Sequence, residues 1–113
     1  MMPGAGFELV ICGATAGDGA VWVGAIGEVR LDEVQLLAEA IGQVVRGEDD
    51  THRVVLDLSE VSYCSHDASF TLWGMCAGFH AAGIGVALAE VSSMARIAFE
   101  GTHLDKRFSF LER

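Results

Sequence analysis

The stretch Arg53 to Phe79, RVVLDLSEVSYCSHDASFTLWGMCAGF, changes its periodicity once, near Ser65, and that change decides the fold. From Arg53 to Val61 the apolar residues run together and are largely β-branched, the pattern of a central strand covered on both faces. After a polar break around Ser65 and Asp67, Phe70, Trp73, Cys76, Ala77 and Phe79 fall at helical spacing until Gly83 and Gly85 end the segment. The stretch therefore predicts an interior strand running directly into a helix. Leu72 and Trp73 are adjacent, so they cannot share one face of that helix, and one of them is a candidate for an exposed apolar patch.

Working outward, Phe7 to Cys12 and Ala20 to Ile26 have strand composition, and the GDG at Gly17 to Gly19 between them supplies a tight turn, which predicts an opening β-hairpin. From Asp32, residues Val34, Leu37, Ala40, Ile41, Val44 and Val45 make one apolar helical face, with Asp32 as cap, Gln35 reaching back, and Gly47 with Glu48 to Asp50 as stop and loop. Ile84 to Val91 predicts a second buried strand, and Ser92 or Ser93 caps a short helix through Met94, Ile97, Ala98 and Phe99. The tail from His103 to Arg113 is expected to add a last strand or short helix. This order requires parallel pairing in the later half through right-handed crossovers. It defines an α/β fold with a mixed four- to five-stranded sheet and helices mainly on one face, in a single domain over residues 1–113.

Sixteen acidic and seven basic side chains leave a net charge of -9, which repels a phosphate backbone and argues against direct nucleic-acid binding. The N-terminus lacks a basic region followed by a long apolar stretch, and Gly and charged residues interrupt every apolar run, so neither a signal peptide nor a membrane association is expected. Cys12, Cys64 and Cys76 are odd in number and lie in apolar runs, as reduced cysteines of a cytoplasmic protein do.

No phosphate-binding glycine loop is complete, because AGDGA leads into a strand and lacks the Lys and Ser/Thr of a nucleotide loop. Cys64 and His66 stand two apart and Cys76 and His80 four apart, yet this spacing matches no common zinc pattern, and no metal or other cofactor is expected. His66 beside Ser65 is the only local pairing of nucleophile and base, and adjacent residues rarely have the geometry. Paired carboxylates are missing as well, since Asp57 lies within a strand pattern, and an enzyme is not expected.

The run VVLDLSEVSYCSHDASFTLW resembles the signature of the STAS domain family, anti-sigma factor antagonist type, in which a strand ending D-L-S-G-V precedes an apolar pair, an Asp-Ser, a Gly-Leu pair and a helix. Asp57, Leu58, Ser59 and Val61 match the strand, and Tyr63 and Cys64 take the apolar pair. Gly27, Glu28 and Leu31 upstream, and Leu104, Asp105 and Phe108 downstream, extend the likeness over nearly the whole chain. The resemblance implies a non-catalytic domain that captures an anti-sigma factor, a serine kinase of the histidine-kinase-like ATPase fold, and so frees a sigma factor in a partner-switching control of transcription. It implies a monomer or weak homodimer, with a partner-binding face of Arg30, Leu31, Asp32, Tyr63, Ser65, His66, Asp67, Ser69, Phe70 and Trp73. The family's Asp-Ser pair falls on Ser65 and His66, which makes Ser65, His66, Ser69 and Thr71 the phosphoacceptor candidates. The alternatives are a STAS-like ligand or redox sensor using Cys64 and Cys76, and a phosphohistidine carrier through His66.

Overall fold

The computed structural model describes residues 7–14, 20–47 and 53–110. The turn at Gly17 to Gly19, the acidic loop at Glu48 to Asp50 and the Cys12 side chain lie outside the described residues. The elements run β1 (Phe7–Ala14), β2 (Ala20–Val29), α1 (Leu31–Gly47), β3 (Arg53–Cys64), α2 (His66–Ala81), β4 (Gly85–Ala89) and α3 (Ser93–Gly101). The four strands lie in their sequence order across one sheet. β1 pairs antiparallel with β2, as a hairpin requires, while β2 with β3 and β3 with β4 are parallel.

β3 carries the molecule. It sits between β2 and β4, and its consecutive Val54, Val55 and Leu56 are all buried, as the unbroken apolar run predicts for an interior strand. Val54, Leu56, Leu58 and Val61 join Val21, Val23 and Ala25 of β2 and Leu88 of β4 in the principal core. The other wall of that core is Val34, Leu37 and Ile41 of α1, Ala68 and Leu72 of α2, and Ala95, Ala98 and Phe99 of α3, so the three helices share one face of the sheet. Phe108 stacks tilted on Phe99 with centroids 4.6 Å apart, tying the C-terminal segment to the same core.

The element boundaries differ from the periodicity in three places. α1 begins at Leu31, and its start is held by the Arg30 amide donating to Glu33 Oε1 at 2.9 Å, so the reach-back comes from Glu33 and not from an Asp32 and Gln35 pair. β3 continues three residues past Val61 to Cys64, because pairing with β2 persists to Val29 and Cys64. The described part of the tail, residues 103–110, forms turns and an isolated bridge, Leu88 to Phe110, in place of a full strand or helix, and residues 111–113 lie outside the described residues. α2 ends where expected, with Gly83 at φ 90° just beyond it, a left-handed conformation that costs glycine little.

Ser92 anchors α3 at both ends of its hydroxyl. Its Oγ accepts from the Ala95 amide at 3.2 Å and donates to the Val61 carbonyl of β3 at 2.7 Å. Ser92→Ala removes a helix cap and a strand contact together, and is expected to lower stability by about 2 kcal/mol in urea unfolding, with the slope unchanged.

Candidate functional site

The joint between β3 and α2 is organised around Ser65. Its amide donates to the Val29 carbonyl at the end of β2 at 3.1 Å, its Oγ accepts from the Ala68 amide at 3.1 Å, and its carbonyl accepts from the Ser69 amide at 3.0 Å. Ser65 is thus an N-cap in extended conformation, φ −76° and ψ 159°. Strand alternation then fixes the neighbours: Cys64 turns into the core and Tyr63 turns out. The amides of His66 and Asp67, on the first exposed turn, have no protein acceptor among the described residues, so the positive end of the α2 dipole faces outward.

The turn from β2 into α1 lies beside this joint, because Glu28 is paired with Tyr63 and Val29 with Cys64 across the two parallel strands. The Arg30 guanidinium lies over the Tyr63 ring, 5.0 Å from its centroid, and is ion-paired with Glu28. That bond to Glu28 raises the Arg30 pKa further, so the group is a fixed cation. Leu31, Tyr63 and Phe70 are all large and exposed, Phe70 by 55%, and they rim the joint together with Asp32, His66 and Asp67. An apolar rim around a helix N-terminus with an acidic margin can hold a protein partner by packing and can read a change of charge at the turn.

Three members of the sequence-derived set are placed elsewhere. Ser69 is fully buried, its hydroxyl donating to the Ser65 carbonyl at 3.1 Å and lying 3.4 Å from Cys64 Sγ, so neither a kinase nor a partner reaches it in this conformation. It stands three positions before the buried Leu72, which puts both on the inner face of α2. Trp73 is half-buried on the flank of α2 facing β4 and the tail, with Arg107 over its ring, and so stands apart from the rim. Thr71 is half-buried on the opposite flank, in an open apolar groove of about 580 Å³ between α1 and α2 that Val34, Ala38, Gly74 and Gly78 also line. Of the four phosphoacceptor candidates only His66 is exposed, Ser65 and Thr71 are partly so, and Ser69 is buried.

Met94 and Ile97 of α3 are exposed apolar residues that periodicity assigned only to a helix. With Gly101 they fall on one helical stripe, and a Cβ at Gly101 would meet His66 Nε2 at 3.2 Å. The stripe therefore runs up to the joint. Their i, i+3 spacing was visible, but Ala95, Ala98 and Phe99 offered α3 a competing apolar face.

Among the described residues no three potential ligands gather for a metal, and His66 and His80 lie at opposite ends of α2. Burial pushes the Cys76 thiol up to about 12 and raises that of Cys64, which a hydrogen bond with Ser69 partly offsets. Both thiols are protonated at neutral pH and are poor nucleophiles. Among the described residues no helix is long and apolar enough to cross a membrane.

No protein-family model matches the sequence, and no curated protein matches it. The fold is nevertheless shared with solved structures, and it is the STAS fold. An anti-sigma factor antagonist from Mycobacterium paratuberculosis superposes with a TM-score of 0.67 at 22% identity, over 100% of this chain and 92% of that one. The anti-sigma factor antagonist SpoIIAA of Bacillus, in its unphosphorylated form, gives a TM-score of 0.66 at 14% identity, over 95% of this chain and 89% of that one. A STAS-domain antisigma-factor antagonist from Rhodobacter sphaeroides gives 0.60 at 18%, over 81% of this chain and 98% of that one.

The thiols make a testable statement about pH. A thiol whose pKa is raised in the folded state stays protonated there while the unfolded chain ionises, so stability falls as pH rises from the ordinary value of 9.0 toward 12. Denaturation across that window is expected to show Cys76→Ala losing less stability with pH than the parent, and native-state thiol labelling at pH 8 is expected to be slow.

Proposed function

We propose that this chain is a non-catalytic regulatory binding domain that captures an anti-sigma factor, of the serine-kinase type with a histidine-kinase-like ATPase fold, and thereby frees a sigma factor. The reading rests on the exposed apolar rim of Leu31, Tyr63 and Phe70 around the uncovered N-terminus of α2. It draws support from the fold shared with anti-sigma factor antagonists. Arg30, Leu31, Asp32, Tyr63, Ser65, His66, Asp67 and Phe70 form the partner face in this reading, and Met94 and Ile97 extend it. The chain acts as one cytoplasmic domain, a monomer or weak homodimer, with no cofactor.

Phosphorylation at the joint is the proposed control. A phosphate on His66 or Ser65 adds about two negative charges beside Asp67 and Asp32, which changes the charge the partner meets and disrupts packing on the rim. His66 is the more accessible of the two, and its imidazole stands where the resemblance puts the acceptor. A phosphohistidine relay is therefore the second reading that an observation favours. Sensing through Cys64 and Cys76 is disfavoured because both thiols are protonated, Cys64 being buried and Cys76 half-buried.

Calorimetric titration against co-encoded anti-sigma factors tests the main reading. Phe70→Ala and Tyr63→Ala are each expected to weaken binding at least about tenfold, roughly 1.4 kcal/mol, while Trp73→Phe leaves it unchanged. Failure of every candidate to bind overturns it. Incubation with kinase and ATP, followed by mass spectrometry under acidic and neutral conditions, separates an acid-labile phosphate on His66 from a stable one on Ser65.

A further inference from the structure

A second concave surface lies on the other flank of α2, away from the joint. It is an open cleft of about 510 Å³ between α2, β4 and the C-terminal segment, within the size range of small-molecule sites. Its floor is apolar, built from Val54, Val86 and Phe108, and Trp73 and Cys76 form one wall. Around this floor stand Arg53, His80 and Arg107.

The charge pattern is unusual for this chain. Sixteen acids outnumber seven lysines and arginines, yet among the described residues no acid lines the cleft and two of the seven do. Among the described residues neither arginine is ion-paired, whereas Arg30 at the joint has Glu28. The Arg107 guanidinium is held 5.8 Å from the Trp73 ring centroid, which fixes a cation at the mouth beside an aromatic surface. Two exposed cations line one cleft with an apolar floor, so an anion that brings its own apolar body can meet a guanidinium with its charged end and cover the floor with the rest.

We propose that this cleft is a binding site for a small, flat organic anion, its carboxylate or phosphate between Arg53 and Arg107 and its ring on Trp73 and the apolar floor. Both guanidiniums present fork-shaped donor sets suited to such oxyanions. The site is separate from the partner face and its assignment does not rest on the anti-sigma reading.

Amide NMR titration of the full chain with 2-naphthoate, 2-naphthalenemethanol and inorganic phosphate tests the assignment. 2-Naphthoate is expected to shift Trp73, its indole N–H, Cys76, Val86 and Arg107, and to bind at least about tenfold more tightly than either the neutral alcohol or phosphate. The double variant Arg53→Gln/Arg107→Gln, at two exposed positions, is expected to weaken 2-naphthoate by a similar factor while the remaining spectrum is unchanged. Shifts confined to the α1–α2 groove, no saturable shifts at the cleft, or equal binding by the alcohol or by phosphate would each overturn it. The ligand comparison on the parent protein decides the matter even where the double variant does not fold.

Discussion

Ser65 must serve two structures at once, ending a buried parallel strand and starting a helix, and the rest of the architecture hangs on that double duty. Its amide closes the ladder to β2 at Val29, while its hydroxyl and carbonyl take the first donors of α2. With no residue to spare between Cys64 and His66, the helix can leave the sheet only in one direction, over the face where the core lies. The same economy brings the end of β2 alongside, so that Arg30, Tyr63 and the first turn of α2 share one end of the sheet.

This constraint explains why the proposed partner face sits at a strand-to-helix turn. The backbone there is rigid because it is hydrogen-bonded from both sides, and rigid apolar side chains lose little entropy on binding. Helix termini also leave amides uncommitted, so a turn of this kind responds to added negative charge more than a helix middle does. Packing strength and electrostatic sensitivity thus arise from one local geometry. The cleft across α2 is organised differently, by charge convergence over an apolar floor, and it shares with the joint only the helix between them.

Much of this was legible beforehand. The unbroken Val54, Val55, Leu56 run marked the interior strand, and Ser92 before a short apolar helix marked its cap. The helical start at Leu31 was missed by a residue or two because Asp32, Glu33 and Gln35 all have capping chemistry, and only the backbone path shows that Glu33 reaches the Arg30 amide. The site was legible as a place and less so as a set of side chains. α2 carries Phe70, Leu72, Trp73, Met75 and Phe79 on several sides, so no single face is marked in the sequence as the buried one.

Local chemistry determined by itself the order of strands and helices, the α/β class, the position of the turn and the acidic character of the chain, because strand runs, caps and glycine stops act over a few neighbouring residues. Tertiary structure alone decided that Ser69 is sealed while His66 is open, that Trp73 is half-buried while Phe70 is exposed, and that Met94 and Ile97 stay outside while Ala98 and Phe99 go in. A helix with several apolar sides acquires an inner face only when the sheet and its neighbouring helices press against it, and those surfaces come from residues far away in the chain.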